Sequence, residues 1–479
     1  MKVFLSALGC KLNESELEAW ARQLADAGHA IVNDVRAADV IVLNTCTVTH
    51  VAARKTRQLA RHLARANPRA RLVLTGCFVT ISPAEANALP NVALAVPNAE
   101  KDGLVEQIAN SGLRGARGGL REPSVVGGQR SAVDDQPYAI SQQWLDADVE
   151  TQVAGRQSPV SELLSPHLRT RAFVKIQDGC NLSCAYCIIP HARGKERSQP
   201  RDEIVAQVNA LVSAGYKEIV LTGVQISAYR DRGTGLESVQ SLRGLVSAIL
   251  SETHVPRLRL TGIAPWDVEE GFLDLWRDTR LCRHLHMSLQ SGSDAILRQM
   301  RRPYTTAQFA RAVERVRAKI PDVGITTDVI VGFPGESDTD FEQSARFVEQ
   351  AQFSRVHVFP YSKRAGTPAA SLPLQVPDVV KQARAHQMQA IADASRHAFA
   401  RRFVGRELTV LWEGKSDDER QGANPADSLA PLPAERSFVW SGYSDNYIRV
   451  IASSAVDLTN QFTTVLVVDV TDDGVMAEL

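Results

Sequence analysis

What most constrains this chain is an alternation of short, β-branched runs with helical stretches, which begins near Arg171 and recurs about six times. Residues 172–177, 218–222, 257–261, 284–289, 325–331 and 355–359 predict buried strands. Residues 201–214, 306–319 and 338–350 carry the apolar spacing of amphipathic helices between them. Strands separated by helices predict a parallel sheet or an incomplete β/α barrel, with chemistry at the carboxyl ends of the strands. A further helix is predicted over 376–403.

The flanks follow other patterns. Residues 1–110 predict strands at 3–8, 40–44 and 72–75 and helices at 16–27 and 51–66, an open parallel α/β domain. Ser15 and Glu18 have capping-box spacing for the first helix. Residues 111–167 break the alternation with six glycines between Gly112 and Gly128 and then a polar stretch with scattered acids, which predicts a linker or insertion. Beyond Gly405, residues 407–412, 437–440, 447–451 and 463–470 are short, β-branched and aromatic, and predict a small β-barrel-like domain with a polar insertion at 414–436. The expected organisation is an α/β multidomain chain divided at 1–110, 111–167, 168–403 and 404–479.

No apolar run approaches the roughly 20 residues needed to span a bilayer. The apolar stretch from Val3 to Gly9 before Cys10 looks superficially like a lipoprotein signal, but it is short, has only Lys2 as a basic flank and continues directly into periodic sequence. A first buried strand and a cytoplasmic location are expected. The 54 basic and 54 acidic residues cancel, so net charge gives no support for nucleic-acid binding and only local patterning can. Seven cysteines without a secretion signal favour metal or cluster ligation over disulfides.

Cys180, Cys184 and Cys187 form a C-x3-C-x2-C arrangement just after a predicted strand. Thiolates are the usual ligands of a 4Fe-4S cluster; four would close it, and three leave one iron open. A structural zinc site is the alternative, with His191 placed by spacing to supply a fourth ligand. Cys10, Cys46 and Cys77 each end a predicted strand, in Leu8-Gly9-Cys10, Asn44-Thr45-Cys46-Thr47 and Thr75-Gly76-Cys77. Ligands at the carboxyl edge of one sheet converge even when some 30 residues separate them. Cys282 is left over, and a buried, unligated thiol is expected there.

The Cys180–Cys187 spacing, with Tyr186 just before the last cysteine, resembles the signature of the radical S-adenosylmethionine superfamily. The resemblance implies that the open iron binds the amino and carboxylate groups of S-adenosylmethionine, whose one-electron cleavage yields a 5′-deoxyadenosyl radical. It also implies a partial (β/α)6 barrel. With the three N-terminal cysteines and the β-rich tail, nearly the whole chain resembles the methylthiotransferases. That implies a second, auxiliary 4Fe-4S cluster on Cys10, Cys46 and Cys77, two molecules of S-adenosylmethionine, and a TRAM-like RNA-binding tail. The strand-end residues Gly223, Ser288, Gln290, Asp328 and Gly332 resemble the superfamily's S-adenosylmethionine pocket.

Within that family, Gln177-Asp178-Gly179-Cys180, residues 188–194 and Val358-Phe359-Pro360-Tyr361-Ser362 look most like the branch that methylthiolates carbon 2 of N6-threonylcarbamoyladenosine beside the anticodon of tRNA. Isopentenyladenosine in tRNA and an aspartate of a ribosomal protein are the neighbouring substrates. A non-catalytic, zinc-containing RNA-binding protein and a plain electron carrier are alternatives of other classes. A flavodoxin-type electron donor is implied, and the sulfur donor is left open. For RNA contact, Arg54, Arg57, Arg61 and Arg65 recur at helical spacing, flanked by Lys55, Arg69 and Arg71, with no acidic residue between Val40 and Ala84. Such a stripe is equally expected of a solvated face. Arg401, Arg402 and Arg406 add a weaker basic group. Gly442-Tyr443-Ser444-Asp445-Asn446-Tyr447 offers aromatics that would stack on bases or fill a core.

Overall fold

The computed structural model describes residues 1–113, 170–231, 240–416 and 438–479. Most of the 111–167 linker and of the 414–436 insertion lies outside the described residues. The chain forms two compact units, the first built from most of the N-terminal residues and the second from the rest.

In the first unit, β1 (Lys2–Ala7), β2 (Ala30–Ile31), β3 (Val40–Thr45), β4 (Arg71–Gly76) and β5 (Val92–Val96) pair in the order β2-β1-β3-β4-β5. Every pairing is parallel. Because side chains alternate across a strand, Phe4, Ile41, Leu43, Leu72 and Leu74 join one apolar core while Val3, Leu5, Val40, Val42 and Val73 join the other. Helix α1 (Lys11–Asp26) covers the second face with Trp20, Ala21 and Leu24, and α2 (His50–Ala66) covers the first with Leu59, Ala60 and Leu63. Each buried leucine, isoleucine, valine or phenylalanine among them contributes roughly 1.5–3 kcal/mol. The predicted capping box is not formed. Helix α1 starts at Lys11 with Cys10 as its N-cap, so Ser15 and Glu18 lie inside the helix, where both are buried.

The second unit carries β6 (Arg171–Lys175), β7 (Glu218–Thr222), β8 (Arg257–Leu260), β9 (His284–His286), β10 (Gly324–Val331) and β11 (Arg355–Pro360). Two parallel three-stranded sheets, β8-β7-β6 and β9-β10-β11, are joined by a bridge between Leu258 and Leu281. The result is the six-stranded partial barrel expected from the alternation. Its strands follow the predicted ones to within a residue or two, except β9, which stops at His286. Helices Arg201–Ser213, Leu242–Glu252, Thr306–Lys319 and Asp338–Ala351 pack on its outside.

Helix Asp378–Arg401 then sends Met388 and Ala392 into the partial-barrel core and Phe399 and Ala400 into the next one. That core belongs to a closed five-stranded barrel of β12 (Glu407–Lys415), β13 (Phe438–Ser444), β14 (Arg449–Ser454), β15 (Phe462–Thr471) and β16 (Gly474–Glu478). Strand β16 has no counterpart among the predicted segments. It pairs β14 in parallel and β15 antiparallel, and so seals the barrel.

The barrel docks against the first residues of the partial-barrel strands. Arg257 donates to the carbonyls of Tyr443 and Thr409 at 3.1 and 3.2 Å, and Arg259 donates to those of Asp445 and Ser444 at 3.1 and 3.2 Å. Arg259 also pairs with buried Glu218 at 2.7 Å, and Arg283 with Asp445 at 2.6 Å. The Tyr443 and Tyr447 rings stack 5.0 Å apart, Arg171 lies over Tyr443, and His284 packs on Tyr447. Of the two readings of this tyrosine pair, the contacts favour a structural role, since arginine and histidine of the partial barrel pack on the rings. Arg402 and Arg406 are likewise engaged, both pairing with Asp322.

Candidate functional site

The C-x3-C-x2-C segment leaves the short strand Gln177–Asp178 through Gly179, whose φ of +71° is a left-handed conformation. A Cβ at Gly179 would clash with the Lys195 carbonyl, so the turn admits only glycine. Asp178, buried, caps the Gly179 N–H at 2.8 Å and pairs with Arg193 at 3.0 Å and Arg197 at 3.1 Å. Gln177 Nε2 donates to the Gly179 carbonyl at 2.8 Å, and Gln177 Oε1 accepts the Gln225 N–H at 2.9 Å. Farther along, the Ala185 N–H donates to the Met300 carbonyl at 3.0 Å. These bonds fix the cysteine loop at the carboxyl edge of the partial barrel.

Cys180, Cys184 and Cys187 come together, each close enough to influence its neighbours electrostatically. Burial pushes the Cys187 thiol up to about 12 and Cys180 above the usual thiol value. Cys180 Sγ accepts the Leu182 N–H at 3.4 Å and lies 3.4 Å from Gln225 Oε1. Arg302 Nη1 donates to Cys184 Sγ at 3.2 Å while its Nε donates to Tyr304 Oη at 3.1 Å. Arg302 and Gln225 were not singled out in the sequence; neither belongs to a motif, and only folding brings them to the cysteines.

The sulfurs of one zinc ion lie about 3.8 Å apart, given Zn–S bonds of about 2.3 Å in a tetrahedron. Among the described residues, no trio that includes a cysteine has its ligand atoms within 4.8 Å of one another. His191, the proposed fourth zinc ligand, sits exposed on the short helix Ile189–Arg193. Sulfurs served by N–H donors suit a cluster whose thiolates each hold a different iron.

In the first unit, Cys46 and Cys77 follow β3 and β4, and Cys10 follows the end of β1. The strand ends are bound closely: Asn13 Nδ2 donates to the Leu8 carbonyl at 2.7 Å and the Thr45 carbonyl at 3.3 Å, and Thr45 Oγ1 to the Thr75 carbonyl at 2.5 Å. A Cβ on Gly9 would lie 3.1 Å from Cys46 Sγ, and Asn98 Nδ2 donates to Cys77 Sγ at 3.5 Å. The three thiols thus share one sheet edge, with Cys46 and Cys77 buried and Cys10 exposed. Cys282 is buried near Glu218 at the opposite, N-terminal edge of the partial barrel, its thiol pushed up to about 12 by burial.

Gly223, Ser288, Gln290 and Gly332 lie just past strand ends at the carboxyl edge of the partial barrel, whereas Asp328, expected at a strand end, is an internal residue of β10 because that strand runs on to Val331. Gln290 adopts a left-handed φ of +69°, uncommon for a non-glycine residue, while its N–H and C=O bond Asp328 and Ile330. Gly223 has its Cβ space taken by Gln177 and Ile226. Gly332, at φ +70°, packs against the Lys381 stem and donates its N–H to Glu336 at 2.8 Å. Both glycines are thus explained by contacts within the protein. Ser288 and Asp328 hydrogen-bond at 3.2 Å, and both meet His286 Nε2. Burial alone would raise the Asp328 carboxyl; the His286 bond and nearby His357 bring it below the ordinary value.

The α2 basic stripe is narrower than its spacing suggests. Arg57 lies half-buried, 3.2 Å from Glu85, and Arg54 is half-buried, leaving Arg61 and Arg65 exposed. No helix among the described residues is long and apolar enough to cross a membrane.

Residues 174–348 match the radical SAM superfamily model, and residues 2–96 match an uncharacterized family designated UPF0004. The threonylcarbamoyladenosine tRNA methylthiotransferase MtaB of Bacillus subtilis is 33% identical, across 97% of this chain and 93% of its own length. The tRNA-2-methylthio-N(6)-dimethylallyladenosine synthase of Desulfitobacterium hafniense is 30% identical, across 91% of this chain and 93% of its own. Among solved structures, the radical S-adenosylmethionine methyltransferase TsrM of Kitasatospora setae shares the fold with a TM-score of 0.52 at 16% identity, covering 77% of each chain. A 4Fe-4S cluster and S-adenosylmethionine are what a radical SAM domain implies. With both domains matched and relatives aligned over nearly its whole length, the chain belongs to the radical S-adenosylmethionine tRNA methylthiotransferase family.

Proposed function

We propose that this protein transfers a methylthio group to carbon 2 of N6-threonylcarbamoyladenosine next to the anticodon of tRNA. The observation that carries the reading is the Cys180–Cys184–Cys187 loop at the carboxyl edge of the partial barrel, with N–H donors from Leu182 and Arg302 aimed at its sulfurs. These cysteines would hold the radical-generating 4Fe-4S cluster; Cys10, Cys46 and Cys77 would hold an auxiliary one. When bound, the clusters and S-adenosylmethionine supply hydrogen abstraction and the methylthio group.

The chain's own residues bind and orient. Gln177, Asp178 and Gly179 set the cysteine loop, and Arg302 places positive charge against Cys184. Tyr304 Oη accepts from Arg302 and donates to the Ser288 and Leu289 carbonyls at 2.8 Å, tying the loop to the end of β9. Gly223, Gln290 and Gly332 would line the cofactor rim with backbone groups, with the Ser288 and Asp328 side chains at its edge. Residues 1–110 would form the auxiliary-cluster domain, 111–167 a linker, 168–403 the radical domain and 404–479 a TRAM-like tail, with tRNA as substrate, a flavodoxin-type electron donor and a cytoplasmic location.

Mass spectrometry of tRNA nucleosides from cells with and without the protein tests the reading. The methylthio derivative of threonylcarbamoyladenosine is expected only with the protein, and is expected to vanish on Cys10→Ala, Cys46→Ala or Cys77→Ala. A methylthio derivative of isopentenyladenosine alone, a modified ribosomal aspartate, or zinc without acid-labile sulfide in anaerobically prepared protein would each overturn it.

A further inference from the structure

One face of the β9–β10–β11 sheet is apolar: Leu285, Met287, Ile325, Val329 and Val356 pack under the outer helices. The alternate residues point the other way, into the interior of the partial barrel. His286 pairs Thr326 across one pair of strands and Asp328 pairs His357 across the other, so all four share that face. His286 Nδ1 meets Thr326 Oγ1 at 3.0 Å, and His286 Nε2 meets Ser288 Oγ at 3.0 Å and Asp328 Oδ2 at 3.1 Å. The ring of His357, which is exposed, lies 6.1 Å from that of His286, and polar atoms of His286, Asp328 and His357 fall within 4.8 Å of one another. Two residues on from His357, Phe359 is 45% exposed on the same face.

We propose that His286, Asp328 and His357 form the receptor for the amino-acid arm of the target nucleoside, an inference that rests on the threonylcarbamoyladenosine reading. That arm carries a carboxylate and a hydroxyl. An imidazole N–H of His357 donates to the carboxylate, the hydroxyl donates to Asp328, which His286 holds in place, and the Phe359 ring offers a surface for the base. An apolar dimethylallyl arm carries neither the carboxylate nor the hydroxyl, so it makes none of these bonds while still stripping water from the exposed His357 ring, which is how a polar site disfavours a substrate lacking its hydrogen-bonding groups. Asp328 is then shared between the cofactor's edge and the nucleoside.

The test uses the full-length, cluster-reconstituted protein and one tRNA sequence in two forms, with threonylcarbamoyladenosine or with unmodified adenosine at the target position. The wild type is expected to bind the modified form roughly 10- to 100-fold more tightly, the value of hydrogen bonds to a charged group. His357→Leu is expected to erase most of that preference, and His357→Gln, which keeps an N–H donor, to restore part of it. A preference left intact in His357→Leu overturns the inference, as does its absence in the wild type. Stoichiometric zinc in wild-type protein that is lost in His357→Leu overturns it in favour of a metal site. The underlying function is judged separately: wild-type protein that yields no methylthio product from the modified tRNA refutes that reading, whatever the binding shows.

Discussion

A few single residues control whether the cysteines can hold clusters. Arg302 is the clearest, because hydrogen bonds to cluster sulfurs and nearby charge set the reduction potential. Arg302→Leu removes both, so the midpoint potential of the radical-domain cluster, read by electron paramagnetic resonance during a redox titration, is expected to shift negative while iron content holds. An unchanged potential would show that the guanidinium does not act on the sulfur. Gly76 is the counterpart in the first unit. Its φ of +102° and a Cβ position 2.5 Å from the Thr45 carbonyl make Gly76→Ala strained by roughly 1–3 kcal/mol. Lower thermal stability and loss of iron from the auxiliary site alone are the expected readouts. The cysteines were legible because their spacing is chemical information carried along the chain. Arg302, Gln225 and His357 were not, because each is an ordinary residue until the fold gives it a neighbour.

At the level of elements, the alternation predicted the partial-barrel strands closely. Periodicity records which face of a strand or helix is buried, and burial drives these elements to form. Helix starts were less legible: α1 begins at Lys11 without a side-chain cap, so the local capping signal at Ser15 lost to tertiary packing. Helix α2 shows how a pattern of charges overstates a surface. Arg57 already has Glu85 as partner, and the exposed charge reduces to Arg61 and Arg65. Replacing both by alanine is expected to weaken tRNA binding and to make the slope of log affinity against log salt shallower by about 1.5. An unchanged slope would mean that this face is merely solvated.

Across the whole second unit, the terminal barrel is held against the strand starts of the partial barrel by Arg259, which buried Glu218 fixes and which donates to the Ser444 and Asp445 carbonyls, and by the part-exposed pairs Arg283–Asp445 and Arg406–Asp322. Arg259 and Glu218 are each about 1% exposed, so Arg259→Met leaves a buried carboxylate without its main partner and is expected to cost about 3–5 kcal/mol by denaturant unfolding. Acid should act on the same seam. Burial pushes Glu218 and Asp445 upward, but Arg259 and Arg283 respectively bring them below the ordinary carboxylate value, and the hydrogen bond from Arg406 does the same for Asp322. A depressed native pKa contributes stability that is complete above the unfolded value and is lost as pH falls through the native one. The unit is therefore expected to hold full stability above about pH 5 and to lose it progressively below about pH 4. A melting temperature flat from pH 6 to pH 3 would refute this account of the seam.

The order of elements, the parallel architecture and the two cysteine trios were determined by the sequence alone, since apolar period and ligand spacing are properties of the chain. Only the tertiary structure decided that Tyr443 and Tyr447 face the partial barrel instead of solvent, that a fifth strand closes the terminal barrel, and that His286, Asp328 and His357 share one face. Those outcomes depend on which distant strand each segment pairs with, and strand pairing is settled by packing the whole unit at once.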